Sequence, residues 1–209
     1  VLLKEIEAVR DVVPAGLKMG QLHLGGGTPT ILTPASMTKL LGAVFGAFAP
    51  TEEFEFSVEI DPTEASEALL ITLIHFGMNR ASIGVQDFDP KVQAAIGRKQ
   101  SLKQTFDVVT FLRNNDIAAI NLDLLYGLPF QTEASFRETL DHVIRMDADR
   151  LAIYGYAHVP WMSKRQVLIK EETLPDTLQR YGLAQVADTV LKEAGYAAIG
   201  IDHFAKPTD

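Results

Sequence analysis

The chain has 209 residues, 47% of them hydrophobic, a formal net charge of -8 and no cysteine. That length and apolar content suffice for a sizeable core and exclude a disordered chain. The acidic balance argues against a nucleic-acid surface, no apolar run reaches the length of a membrane span, and the missing thiols exclude disulfides and any thiolate metal site within the chain.

Val1 to Val13 carries an amphipathic helix pattern, not the charged end and apolar block of a signal peptide, which with the lack of cysteine points to the cytoplasm. Gln21 to Leu24 reads as a short strand. It runs into Gly25-Gly26-Gly27-Thr28-Pro29-Thr30, where bare backbone lets a ligand approach and Pro29 fixes the chain direction. Ser36 to Phe48 follows Pro34 with helical spacing of Met37, Leu40, Leu41, Val44 and Phe48. A strand at Glu55 to Ile60 and a helix at Glu64 to Phe76 come next, with Gly77 as the stop. Arg80 to Val85 is a third strand. Ser101, with Gln104 three residues on, has the spacing of a capping box and opens a helix to Asn115.

Ala119 to Leu125 and Arg150 to Tyr156 read as strands, with a helix from Thr132 to Met146 between them. Val159 to Leu174 is the least regular stretch, a loop with a short helix. Asp176 to Ala194 is the last long helix, ended by Gly195, and Tyr196 to Ile201 is the last strand. The strands are short and mostly apolar, as in parallel sheets covered on both faces. Strand and helix alternate throughout, which predicts right-handed βαβ units in one domain over 1–209, as a partial barrel or an open doubly wound sheet.

Functional groups in such folds gather at the carboxyl ends of the strands. Those ends read Val58-Glu59-Ile60-Asp61-Pro62, Gly84-Val85-Gln86-Asp87-Phe88, Asn121-Leu122-Asp123-Leu124-Leu125-Tyr126-Gly127, Tyr154-Gly155-Tyr156-Ala157-His158 and Gly200-Ile201-Asp202-His203-Phe204, besides the glycine turn. Glu59 and Asp123 interrupt apolar strands, where a carboxylate is costly unless a buried Arg or Lys, or a ligand, pairs with it. Glycines, carboxylates and an amide on one rim suit a ligand with several hydroxyls and an amine, such as a nucleoside, because a carboxylate accepts both hydroxyls of a ribose diol. Arg98 is either a solvated loop cation or a bidentate grip on a carboxylate. His75 and His142 read as structural or surface groups. His158 and His203 lack a third metal ligand, and Trp161 and Met162 read as loop packing.

The glycine turn, Ser57 to Pro62, Ser82 to Phe88 and Asn121 to Pro129, in that order, resemble the radical S-adenosylmethionine enzymes of the oxygen-independent coproporphyrinogen III oxidase family. Tyr156-Ala157-His158-Val159-Pro160 and Gly200 to Pro207 resemble the oxidases rather than their heme-chaperone relatives. The resemblance covers nearly the whole chain. It implies a partial (β/α)6 TIM-like barrel with parallel strands. It implies oxidative decarboxylation of two propionates of coproporphyrinogen III to vinyl groups, giving protoporphyrinogen IX, by a 5′-deoxyadenosyl radical made from S-adenosylmethionine and a [4Fe-4S] cluster. Two S-adenosylmethionine molecules, a porphyrinogen substrate, an electron donor and a monomer free of nucleic acid and membrane follow from it. Residue by residue, it implies that Gly26 and Glu59 contact the cluster-bound S-adenosylmethionine. Gly27, Thr28, Gln86, Arg98, Asp123 and Ala157 would contact the second molecule or the space between the two.

The family holds its cluster by three cysteines upstream of the glycine turn, and this chain has none. It is expected to be the central piece of such an enzyme, inactive by itself. The alternative is a heme-binding or heme-transfer chaperone of the same superfamily. A lyase or aldolase barrel would need a lysine at a strand end, and none is placed there; a non-catalytic relative remains a further alternative. The net charge leaves a polyanionic substrate to local cations, with Arg80, Arg98, Lys99, Lys164 and Arg165 as candidates.

Overall fold

A computed structural model describes residues 1–207, and Arg165 by its backbone only. Helix α1 (Leu2–Val12) precedes strand β1 (Met19–Leu24). Helix α2 (Pro34–Ala47) leads to β2 (Pro50–Ile60), and α3 (Glu67–His75) to β3 (Arg80–Gln86). Helices α4 (Pro90–Ala95) and α5 (Leu102–Asn114) then bring the chain to β4 (Ala119–Tyr126), and α6 (Glu133–Arg145) to β5 (Arg150–Gly155). After two 3₁₀ turns at Lys164–Leu168 and Glu171–Thr173 come α7 (Thr177–Glu193), β6 (Ala197–Ala198) and β7 (His203–Ala205).

The helices begin where the sequence supplies an oxygen for the free N–H groups of a first turn. Thr33, Ser66, Asp89, Ser101, Thr132 and Asp176 all cap in this way, and those of α5, α6 and α7 are capping boxes. The predicted helices therefore form, with ends moved by up to three residues. Helix α4 is an element the sequence reading passed over, although Asp89-Pro90 is a cap followed by proline at the first helical position.

One continuous sheet has the order β1-β2-β3-β4-β5-β7-β6, and β1 to β5 are parallel. Its two ends do not pair, so this is the expected partial barrel. The last predicted strand, Tyr196 to Ile201, is corrected. Gly200 and Asp202 take positive φ of 89° and 62°, the chain turns back, and β7 runs antiparallel to both β5 and β6.

Coverage of both sheet faces is also corrected. Phe56, Val58 and Ile60 of β2, Ala81, Ile83 and Val85 of β3, and Ile120, Leu122 and Leu124 of β4 are buried on one face. They join Leu69 and Leu73 of α3, Leu112 of α5, Phe136 and Leu140 of α6, and Leu183 and Leu191 of α7 in one core. The alternate residues, Ser57 and Glu59, Ser82 and Gly84, Asn121 and Asp123, are only half-buried. Strand geometry puts them on the opposite face, so the strands are two-sided and their inner polar row is presented towards the rim.

Candidate functional site

The inner row and the loops after β1, β2 and β3 line a cavity of about 200 Å³ formed by Gly27, Thr28, Glu59, Ile60, Asp61, Ser82, Gly84, Gln86, Arg98 and Asp123. Six of the eight sequence candidates meet here. Gly26 and Ala157 do not line it. Ala157 is exposed, and its carbonyl accepts a hydrogen bond from Gln166 Nε2 at 3.1 Å. Ile60, Asp61, Ser82 and Gly84 complete the lining, and the last three are polar or open positions not singled out as site residues. The period-two pattern of β3, which puts Ser82 and Gly84 on the face opposite Ala81, Ile83 and Val85, was the signal available for two of them.

The three glycines play three different parts. A Cβ on Gly25 would lie 2.6 Å from Glu59 Oε1, so this position is bare to admit a protein side chain, not a ligand. Gly26 has φ +78°, a conformation that costs other residues about 1 kcal/mol or more. Gly27 alone combines open space above its Cα with a place in the cavity wall. The turn is joined to the end of β2 by Thr30, whose Oγ1 accepts from Asp61 N at 3.3 Å.

Asp123 is not held by a cation. Ser82 Oγ donates to its Oδ2 at 2.8 Å and Asn121 Nδ2 to its Oδ1 at 2.7 Å. Burial pushes its carboxyl pKa up, the two hydrogen bonds pull it down, Glu59 pushes it up and His203 pulls it down. Asn121 Oδ1 beside it is buried without a hydrogen-bond partner, a sign that this cluster has acceptor capacity to spare. Glu59, by contrast, is half-buried with its side chain 42% exposed, and is approached by His23 Nε2 at 3.5 Å. The pairing with a buried Arg or Lys that sequence left open for both carboxylates is therefore not what this structure has.

Gln86 reaches the cavity by a local distortion. The β3–β4 register shifts between Gly84 and Gln86, and Gln86 has φ +69°. A bulge that re-aims one side chain is common beside binding sites. Directly after it, Asp87 is fully buried. Its Oδ2 accepts from Gln131 Nε2 at 2.6 Å and its Oδ1 from Thr139 Oγ1 at 3.0 Å and from Asp89 N at 2.6 Å. Burial raises the pKa of this carboxyl, and these three bonds oppose the rise.

Arg98 is not a solvated loop cation. Its Nε donates to Gln100 Oε1 at 2.7 Å, its Nη2 donates to Gly84 O at 2.9 Å, and Nη2 lies 3.5 Å from Asp61 Oδ2. Of the other proposed cations, Arg80 lies 3.5 Å from Glu55 at the opposite strand ends; the side chain of Arg165 lies outside the described residues. No group of three or more His, Cys, Asp or Glu able to hold a metal occurs among the described residues, and no helix there is long and apolar enough to cross a membrane.

The sequence of residues 3–143 matches the family described as the radical SAM superfamily. The chain belongs to that superfamily. This radical SAM chain is 50% identical over 208 residues to an oxygen-independent coproporphyrinogen III oxidase of Cereibacter sphaeroides, covering 100% of the chain and 46% of that protein. It is 49% identical to the oxygen-independent coproporphyrinogen III oxidase of Paracoccus denitrificans, again over 46% of the relative. Its structure matches the coproporphyrinogen III oxidase of Escherichia coli, a radical SAM enzyme, with a TM-score of 0.96 and 38% identity, over 100% of this chain and 48% of that one. The radical SAM chain thus spans about half the length of the relatives it matches.

Superfamily membership implies S-adenosylmethionine and a [4Fe-4S] cluster, and the two fare differently against these residues. A cluster needs thiolates, and the chain has no cysteine. Its own residues do not fit that group, and no step is derived through it. The cavity fits the nucleoside ligand: it offers an uncompensated carboxylate, open backbone at Gly27, and a fixed guanidinium.

Proposed function

We propose that the protein carrying this chain is an oxygen-independent coproporphyrinogen III oxidase, and that this chain is the barrel domain that binds its S-adenosylmethionine. Each of two propionates of the porphyrinogen gives up one hydrogen atom, one further electron and CO₂, leaving a vinyl group. S-adenosylmethionine, held by the residues of this cavity, would supply the one-electron chemistry. An external electron donor, two S-adenosylmethionine molecules and a cytoplasmic monomer belong to the same reading.

The observation that carries it is the convergence of Gly27, Glu59, Gln86, Arg98 and Asp123 on one cavity. Within that reading, Asp123 accepts from the ribose diol of a nucleoside, and its ionised form is the better acceptor. Arg98 holds the carboxylate of the methionine moiety, and its Nη1 has no protein partner among the described residues. Gly27 and Thr28 let the ligand lie against backbone, Gln86 offers an amide, and Gly26 and Glu59 serve the first nucleoside molecule.

The test is an anaerobic assay of the whole gene product with coproporphyrinogen III, S-adenosylmethionine and a reductant. Release of two CO₂ per porphyrinogen supports the assignment. Heme binding without CO₂ release would replace it with the chaperone alternative.

A further inference from the structure

The cavity wall that carries Arg98 is backed by a buried hydrogen-bond chain that no contact with a ligand requires. Gln100 is 2% exposed, so its amide lies behind the guanidinium and out of ligand reach. Its Oε1 accepts from Arg98 Nε at 2.7 Å. Its Nε2 donates to Gly84 O at 3.0 Å and to Thr105 Oγ1 at 2.7 Å. Gly84 O also accepts from Arg98 Nη2 at 2.9 Å, so one carbonyl of β3 pins both side chains.

Gln100 is itself clasped. Gln93 Nε2 donates to Gln100 O at 2.7 Å and to Asp87 O at 2.9 Å, and Gln100 N donates to Gln93 Oε1 at 3.3 Å. Gln93 lies on α4, and Arg98 N closes that helix by donating to Gln93 O at 2.9 Å. Every polar atom of the Gln100 amide is therefore used, and the chain runs without a break from the β3 bulge through α4 to the guanidinium. A Cβ on Gly84 would stand 3.3 Å from Gln86 Nε2 and 3.4 Å from Arg98 Nη2, so the guanidinium lies close against the strand here.

A free arginine side chain loses rotamer freedom when a ligand immobilises it. A fork already fixed by two hydrogen bonds has lost that freedom on folding, and the ligand meets a preorganised donor pair. With Nε committed to Gln100, and Nη2 bonded to Gly84 O and 3.5 Å from Asp61 Oδ2, Nη1 is the group left for an anion among the described residues.

We propose that Gln100 is a positioning residue: its amide sets the Arg98 guanidinium in the orientation that receives the carboxylate of S-adenosylmethionine. This rests on the cofactor assignment made above for the same cavity.

Two measurements on the 209-residue chain test it and separate its failure from that of the cofactor assignment. The first compares binding of S-adenosylmethionine with binding of its decarboxylated form, which keeps the adenosine, sulfonium and amine. Gln100→Leu and Arg98→Ala should each weaken S-adenosylmethionine about tenfold and leave the decarboxylated ligand within about twofold. The double variant should lose no more than Arg98→Ala alone. Equal losses for both ligands, or full additivity, would overturn the proposal by making Gln100 a general structural residue.

The second measurement needs no ligand: exchange of the Arg98 Nε–H by NMR, slow in the wild type and at least tenfold faster in Gln100→Leu. Unchanged exchange in Gln100→Leu overturns the positioning role even where S-adenosylmethionine binds. Faster exchange in a chain that binds neither nucleoside upholds the positioning role and overturns the cofactor assignment instead.

Discussion

The two halves of the strand rim are built in opposite ways. On the β3–β4 side, Asp87, Gln93, Gln100, Thr105, Gln131 and Thr139 are buried and bonded to one another, Arg98 stands on that base, and Asp123 is held separately by Ser82 and Asn121. On the β1–β2 side, Gly25, Gly26 and Gly27 are exposed, and His23 and Glu59 face each other at 3.5 Å in solvent. The β3–β4 side has its geometry before any ligand arrives. The other side has no such buried base among the described residues. The lesson is that a binding rim can be preorganised on one flank alone, with buried polar bonds in place of ligand contacts.

That contrast can be broken most forcefully at Asp87. Removing its carboxylate takes one of two acceptors from Gln131 Nε2 and the acceptors of the Thr139 hydroxyl and Asp89 N, so Asp87→Ala should cost about 3 kcal/mol in urea unfolding. A loss under about 1 kcal/mol would show that the buried network is not what holds this flank.

Next in size is Asp123→Ala, which should weaken S-adenosylmethionine binding by about tenfold to a hundredfold through loss of a charged acceptor, read by calorimetric titration. Unchanged affinity would remove Asp123 from the ligand site.

Asp123 also gives the comparison a pH axis. Its folded pKa is raised, chiefly by burial, so the folded chain holds the proton more tightly than the unfolded one does. The stabilising contribution is thus present below the ordinary carboxylate pKa and is lost as pH rises through the raised value. At neutral pH the ionised group weighs against the fold, and Asp123→Asn should be as stable as the wild type or more so, by up to about 1 kcal/mol. The gain should vanish below about pH 4, where Asp123 itself is protonated. A gain that grows as the solution is acidified would contradict the sign of this account.

The smallest effect belongs to the exposed flank. Glu59→Gln should change stability by less than about 0.5 kcal/mol, because a solvent-exposed pair contributes little. A change above about 1 kcal/mol would mean that the β1–β2 flank is also built before the ligand comes.

Much of this was readable from sequence, for identifiable reasons. Ser101 with Gln104 and the Asp176 start of α7 are local signals that the fold obeys, because capping needs only a few neighbouring residues. The strand-end carboxylates were readable because charge stands out against apolar runs. The bulge at Gln86, the buried clasp of Gln93 on Gln100 and the exposure of Ala157 were not, since they depend on residues brought together by the sheet. The turn-back at Gly200 and Asp202 was hidden because Tyr196 to Ile201 reads as one apolar run, and only pairing with β5 shows which piece joins the sheet.

The most direct test of the central claim is an NMR titration of the chain with S-adenosylmethionine, following backbone amides and the Arg98 Nε–H. The account predicts saturable shifts at Gly27, Thr28, Gln86 and Asp123 and at the Arg98 side chain, with the α1–α2 region unmoved. Absence of shifts at saturating ligand, or shifts confined to residues outside that cavity, would contradict it.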